Sequence, residues 1–203
     1  MAFRYFDRPE KFTGYLDGKT TCDTCGAMKH CFDGSLFYGE ETISAICPEC
    51  LESGQLKDRS IFTCEGDREE LIRQLTKLHP ELSASEIEEI AQTKTITLEK
   101  TTPHLVSWQD WAWPCADGDY CTFIGYGSKT LYNRLAKDKD GQWLFQLSLY
   151  YTVKNEEDAD ELWEDYMPDK AIKNYEANAD YDTLFYVFKS LTTDTIVTIW
   201  DAA

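Results

Sequence analysis

The chain has 203 residues, of which 42% are hydrophobic and 14% aromatic, so it can bury a core in one domain or two small ones. Its net charge of −17 argues against direct binding to nucleic-acid phosphates, which require Lys and Arg. It has no run of 18 apolar residues and no apolar signal segment, and its 8 cysteines then favour a reducing compartment, so we expect a cytoplasmic protein without membrane spans.

The first motif along the chain is Phe3-Arg4-Tyr5-Phe6, which we interpret as a short strand or an aromatic anchor. Two Cys-x-x-Cys pairs follow, Cys22 with Cys25 and Cys47 with Cys50, and 21 residues separate them. Two residues between thiols allow a tight turn to aim both sulfurs at one ion, and two such turns supply the corners of a tetrahedron. The pattern predicts one structural Zn²⁺ with four thiolate ligands and no open position for catalysis.

Two other interpretations of the cysteine pairs stay open, a disulfide pair and a redox-active Cys-x-x-Cys. A thioredoxin-like redox motif needs a strand before it, whereas the turn-forming residues 17–21 precede Cys22 here. His30 and Cys31 lie between the pairs and are either alternative ligands or ordinary loop residues. We favour four cysteine ligands and no contribution from His30 or Cys31.

Helical periodicity predicts several helices after the cysteine pairs. Residues 67–79 form one, with Asp67 as N-cap, and residues 83–93 form a second, capped by Ser83 or Ser85. Residues 129–136 give a further short helix. Residues 156–166 predict a strongly acidic helix whose apolar side carries Leu162, Trp163 and Tyr166.

Strands are predicted in the last third of the chain. Asp140-Gly141 reads as a turn that precedes a strand over 143–150. Residues 184–191 and 195–200 predict a β-hairpin around Thr-Thr-Asp. We therefore expect an α+β protein in which a small N-terminal zinc-ribbon-like module packs on a larger mixed part ending in this hairpin. Its predicted division is a zinc-binding module at 1–62, a helical connector at 63–100 and an α+β part at 101–203.

A tryptophan-rich segment lies between the predicted helices and the hairpin. Trp108, Trp111 and Trp113 are interpreted either as core residues or as a platform for a ligand. A buried indole N–H needs an acceptor, and three carboxylates are near in sequence: Asp110, Asp117 and Asp119. The segment continues through Cys115 and Cys121, whose state we leave open.

Several motifs in the same order resemble the CbrC (UPF0167) family of small bacterial cytoplasmic proteins. They are the opening residues 3–6, the two cysteine pairs, the segments 102–113 and 115–125, and the final hairpin, 188–201. The family name is connected with tolerance of a nuclease colicin, so the resemblance implies protection of a bacterial cell from a toxin.

The resemblance also implies a difference in the second half of the chain. Relatives often carry a late Cys-x-x-Cys pair, which with the equivalents of Cys115 and Cys121 would form a second zinc site. Ser190 and Thr193 stand at those positions here, so we expect no second metal of this kind, and hydrogen bonds and packing must hold the hairpin instead.

Three functions are compatible with these features. The first is a non-enzymatic acidic protein that binds a basic, nuclease-type toxin through five carboxylates: Asp158, Asp160, Glu161, Glu164 and Asp165. The second is an enzyme or redox protein using Cys115, Cys121 or His104, although no catalytic motif is present and no catalytic residue is predicted. The third, a nucleic-acid-binding zinc ribbon, conflicts with the acidic charge, although acidity also serves solubility alone.

Overall fold

The computed structural model describes residues 3–137, 139–151 and 156–202, in which short helices alternate with small antiparallel sheets. This arrangement confirms the predicted α+β class. The helices are α1 (Pro9–Phe12), α2 (Pro48–Glu52), α3 (Arg68–Leu78), α4 (Ala84–Thr101), α5 (Lys129–Ala136), α6 (Gly141–Ser148) and α7 (Glu156–Glu161). Within these described ranges, every helix is too short or too polar to cross a membrane.

In the described part of the chain, the strands pair as four two-stranded sheets and one three-stranded sheet. They are β1 (Thr20–Thr21), β2 (Met28–Lys29), β3 (Phe32–Asp33), β4 (Tyr38–Gly39), β5 (Ala45–Ile46), β6 (Ile61–Phe62), β7 (Cys115–Ala116), β8 (Asp119–Tyr120), β9 (Thr122–Tyr126), β10 (Thr183–Lys189) and β11 (Ile196–Ala202). The two-stranded sheets are β1 with β2, β3 with β5, β4 with β6, and β7 with β8. The cysteine pairs therefore lie in a segment whose strands are each two residues long.

The predicted helical pair is present as α3 and α4. The Asp67 carboxylate accepts a hydrogen bond from the Glu70 amide at 3.1 Å, and Ser83 forms a complete capping box, so both predicted N-termini are confirmed. The predicted end of the second helix at residue 93 is wrong, because α4 continues to Thr101. Thr95 and Leu98 extend its buried face, and Pro103 disfavours helix at the residue before it.

The C-terminal sheet has the strand order β11-β10-β9, and its antiparallel β10–β11 pair confirms the predicted hairpin. Strand β10 is buried on both faces. Phe185 and Val187 belong to a hydrophobic cluster with residues of α5, α6 and the 162–167 segment. Tyr186 and Phe188 face the opposite way, into a larger core that also contains Trp113. The sheet thus separates two apolar layers.

The strand predicted over 143–150 is wrong, because residues 141–148 form helix α6. Asp140 acts as its N-cap and accepts a hydrogen bond from the Gln142 amide at 3.0 Å, so Asp140-Gly141 begins a helix instead of turning a hairpin. Phe145 and Ser148 are buried, whereas Trp143 and Leu147 are the most exposed apolar side chains of the helix. A short apolar run is compatible with both helical and strand periodicity, and the N-cap at Asp140 decides for the helix.

Replacing Asp140 by alanine is expected to destabilise the protein by about 1 kcal/mol, because the Gln142 amide loses its acceptor at the start of α6. Urea unfolding followed by circular dichroism measures this change. Asp140→Asn retains an acceptor oxygen and should remain close to wild type. Equal losses in both variants would contradict a capping role.

The opening aromatic residues confirm the predicted anchor. Phe3, Tyr5 and Phe6 are buried, and Phe6 packs on Phe123 with 5.2 Å between ring centroids. One core cluster contains side chains from Phe3 to Ile199 and so includes residues of all three predicted parts. The division at 1–62, 63–100 and 101–203 stays a prediction, and its outermost residues, 1 and 203, lie outside the described ranges.

The tryptophan-rich segment contributes to this core in part. Trp113 is buried, whereas Trp108 and Trp111 are half-buried and pack against the cluster. The Trp113 indole N–H donates to the Cys121 carbonyl at 2.8 Å, so the predicted carboxylate acceptors were wrong for this ring. Asp117 and Asp119 accept other hydrogen bonds: from Ser190, Thr193, Arg4, Tyr5 and Lys94.

Candidate metal centre and acidic groove

The first cysteine pair lies in the loop of the β1–β2 hairpin. Gly26, directly after Cys25, adopts a φ of +70°, a conformation that favours glycine. Its amide donates to the Cys22 carbonyl at 2.8 Å, and the Cys22 amide donates to the Ala27 carbonyl at 2.9 Å. These two bonds close a tight turn that places Cys22 and Cys25 on the same side.

The second pair lies at the start of helix α2. Cys47 is the N-cap residue, and Pro48 occupies the first helical position, where a missing N–H costs nothing. Asp23 connects the two pairs, since its carboxylate accepts hydrogen bonds from the amides of Ser44 at 2.6 Å and Ala45 at 3.1 Å. Sequence reasoning missed this role of Asp23, because its partners are 21 and 22 residues away.

The four sulfurs of Cys22, Cys25, Cys47 and Cys50 lie within 4.8 Å of one another. A tetrahedron with Zn–S bonds of about 2.3 Å has edges of roughly 3.8 Å, and the Cys25 and Cys47 sulfurs are 3.9 Å apart. All four cysteines are free, and this separation is far too long for a disulfide of about 2.05 Å. Geometry and donor set are compatible with a metal site such as zinc.

Hydrogen bonding prepares one thiol of this cluster for metal binding. Burial favours the neutral thiol of Cys22, but backbone amides, among them that of Cys47 at 3.3 Å, outweigh burial and lower its pKa to about 6. Burial raises the pKa of Cys47 and of Cys50. A metal must therefore displace protons from these two thiols, so binding should weaken at low pH.

The other two possible ligands of this segment are not members of the four-cysteine cluster, although the Cys31 thiol lies next to that of Cys22. Cys31 is buried, with its sulfur 3.6 Å from the Lys29 carbonyl oxygen, and burial raises its pKa to about 11. His30 is exposed. Among the described residues, the four-cysteine cluster is the only group of three or more His, Cys, Asp or Glu side chains close enough to share an ion.

Of the residues of the enzymatic alternative, Cys115 and Cys121 are buried and His104 is half-buried. Burial raises the pKa of Cys115 to about 12 and also raises that of Cys121, so both are neutral thiols at pH 7. Burial lowers the pKa of His104, whose Nδ1 lies 2.9 Å from the Thr63 carbonyl oxygen. These environments favour structural roles over a nucleophile with a neighbouring base.

Hydrogen bonds connect the final hairpin to the β7–β8 turn through Ser190 and Thr193. The hydroxyls of Ser190 and Thr193 both donate to the same oxygen of Asp117, each at 2.7 Å. Asp117 has a φ of +56° and lies in the turn between Cys115 and Cys121. Hydrogen bonds thus hold the final hairpin against the β7–β8 turn, as the sequence predicts.

The five carboxylates predicted to bind a partner occupy different positions on one helical segment, α7 and the π-helical turn Leu162–Tyr166 that follows it. Asp158 and Glu161 line a groove of about 810 Å³, together with Tyr151, Tyr166 and Trp200. The remaining three lie outside its lining: Asp160, Glu164 and Asp165. Asp160 accepts hydrogen bonds from Gln142 and Gln146 at 2.8 and 2.6 Å.

The aromatic part of the groove was missed by sequence reasoning. Tyr166, predicted to lie on the apolar side of its helix, is 45% exposed and lines the groove, because the helix widens to a π-turn at Leu162–Tyr166. Leu162 and Trp163 are buried as predicted. Trp200 and the buried Asp201 reach the groove from β11. Only the fold brings this strand next to the acidic helical segment.

A family model described as "Uncharacterised protein family (UPF0167)" matches residues 1–202 of the chain. No solved structure matches the chain. The matched range includes both cysteine pairs, the groove and the final hairpin.

Proposed function

The chain belongs to the UPF0167 family, and from its cysteine cluster and acidic groove we propose that it is a zinc-stabilised, non-enzymatic protein that binds a basic segment of a protein partner. Cys22, Cys25, Cys47 and Cys50 would hold one structural Zn²⁺. A closed set of four thiolates stabilises a fold and leaves no position for substrate.

The observation that carries the proposal is the composition of the groove. Asp158, Glu161 and Asp201 line it with three aromatic side chains, and none of its described lining residues is Lys or Arg. Exposed tyrosines supply large contact areas at protein interfaces, and carboxylates complement Lys and Arg of a partner. The net charge of −17 adds long-range attraction for a basic protein.

A basic, nuclease-type toxin is the partner class that we propose. Such a toxin must present positive charge to bind nucleic-acid phosphates, and an acidic groove that covers this charge would block that binding. Toxin immunity or tolerance would then follow from occupancy alone, without chemistry. The neutral, buried thiols of Cys115 and Cys121 are consistent with this.

The groove can be tested with the double variant Asp158→Asn/Glu161→Gln. We expect it to weaken binding of a basic nuclease-type toxin about tenfold or more, because two carboxylates of the contact surface lose their charge. Pull-down and calorimetry at low salt measure the affinity. Binding should also fall as ionic strength rises to ~0.15 M, where the screening length is about 8 Å.

The matched control is Glu69→Gln/Glu89→Gln, which removes the same charge from exposed positions of α3 and α4 outside the groove. This variant should retain most of the affinity. An equal loss of affinity in both variants would show that net charge alone, and not the groove, causes the effect. Absence of binding by the wild type at low salt would refute the proposed partner class.

A further inference from the structure

A second cavity, which neither the metal centre nor the proposed function uses, lies beside the tryptophan-rich segment. Its volume is about 360 Å³, within the range of roughly 300–1,000 Å³ typical of small-molecule sites. Five aromatic rings line it: Tyr38, Phe62, His104, Trp111 and Trp113. Its lining has only Gln109 in common with that of the groove.

The fold holds these rings in place. Tyr38 pairs with Phe62 across β4 and β6, and the two rings stack with centroids 5.7 Å apart. Trp111 packs on Tyr186 at 4.9 Å, and the indole N–H of Trp113 is bonded to the Cys121 carbonyl. A ligand would therefore meet an aromatic lining that is already ordered, which lowers the entropic cost of binding.

The charge of the cavity is negative. Glu65 and Asp110 line it, and none of its described lining residues is Lys or Arg. Burial and the charge of Asp110 raise the pKa of Tyr38. The negative charge of Asp110 therefore acts on the aromatic wall of the cavity. Lys100 lies over the Phe62 ring, but its ammonium donates to the carbonyls of Arg59 and Ile61 and does not line the cavity.

His104 adds a neutral ring to this wall. Its Nδ1 must donate to the Thr63 carbonyl, 2.9 Å away, because a carbonyl oxygen only accepts. Burial lowers the pKa of His104 below its ordinary value, so the imidazole is neutral at pH 7 and its second nitrogen keeps a lone pair. No positive charge on this ring opposes a cationic ligand.

We infer that this cavity binds an alkylated ammonium group. Aromatic faces attract a cation through their negative quadrupole, and the two carboxylates add to this attraction. A primary ammonium has three N–H donors that need acceptors, whereas a quaternary nitrogen has none and presents apolar methyl groups to the rings. Such a group is carried by a free small amine or by a methylated lysine side chain.

A pair of probes matched in shape but not in charge tests the inference. Choline and its neutral isostere 3,3-dimethylbutan-1-ol have the same shape, so ligand-observed NMR titration of the full chain isolates the contribution of the charge. We expect the alcohol to bind more weakly than choline by a factor of roughly 2 to 30. Equal binding of the two, or no binding of any cationic probe, would overturn the inference.

A third probe, the amide of N-acetyl-Nε-trimethyllysine, distinguishes the two sources. Tighter binding of this probe than of choline supports a methylated side chain as ligand, and the reverse supports a free amine. Either order supports the alkylated ammonium class, provided that the neutral alcohol binds more weakly than both.

Two variants assign the binding to this cavity. Tyr38→Leu removes a ring that is 40% exposed and should weaken choline binding by a factor of roughly 2 to 30. Asp110→Asn, at an exposed position, should weaken it as well without affecting the fold. Glu89→Gln removes the same charge outside the lining and should leave it unchanged. Unchanged binding in Asp110→Asn, or an equal loss in Glu89→Gln, would overturn the assignment.

Discussion

Cys47→Ser is expected to abolish zinc binding and to unfold the segment around the cysteine pairs. The Cys47 side chain is fully buried among the other three ligands, and a serine hydroxyl does not ionise to replace the thiolate. Structural zinc sites contribute apparent free energies of ~10–16 kcal/mol at pH 7, as much as the whole stability of a typical domain at ~5–15 kcal/mol. Strands of two residues each cannot compensate for that loss.

Native mass spectrometry of protein prepared without chelator should show one zinc per wild-type chain and none in Cys47→Ser or Cys25→Ser. Cys25 is exposed, so its variant separates loss of a ligand from loss of packing. Cys31→Ser is the control, since this buried thiol contacts carbonyl oxygens and is no member of the cluster. A wild type without metal, or zinc retained in Cys47→Ser, would contradict the proposed centre.

Features encoded by neighbouring residues were predictable from the sequence. The caps at Asp67 and Ser83 act on amides three residues away, and each cysteine pair forms its own turn. The hairpin of β10 and β11 needs only two apolar runs and a turn between them. In each case the partners are near in sequence, so local chemistry determines the geometry.

Features with an ambiguous local pattern, or with partners distant in the sequence, were not predictable. The run at 143–150 fits a strand or a helix until Asp140 is identified as a cap instead of a turn residue. The groove combines Glu161 with Tyr151 and Trp200, and no spacing in the sequence indicates that these side chains meet. The same is true of Asp119, whose partner Arg4 lies 115 residues away.

Asp119→Ala is expected to destabilise the protein by about 1–3 kcal/mol, because it removes a buried carboxylate that accepts several hydrogen bonds. Asp119 is 6% exposed, and its carboxylate accepts hydrogen bonds from Arg4 at 2.9 Å, Lys94 at 2.6 Å and Tyr5 at 3.0 Å. Without it, Lys94 keeps a charge at a mostly buried position and the buried Tyr5 hydroxyl loses its acceptor. Urea unfolding at pH 7 measures the loss.

The acid dependence of stability distinguishes this network from simple packing. Burial alone would raise the pKa of Asp119, but Lys94 and Arg4 outweigh it and lower the pKa below its ordinary value. A lowered folded-state pKa means that the contribution of Asp119 is complete above the unfolded value of roughly 4 and is lost as pH falls through the folded value. The difference in the free energy of unfolding between wild type and Asp119→Ala should therefore become smaller on acidification.

Asp7→Ala provides the matched control, since Asp7 pairs with Arg8 at the surface, where the side chains are 54% and 41% exposed. Removing a surface pair of this kind costs about 0–1 kcal/mol. A loss in Asp119→Ala no larger than that in Asp7→Ala would contradict a stabilising network. A difference in the free energy of unfolding that stays constant below pH 4 would instead assign the loss to packing, because packing contacts do not titrate.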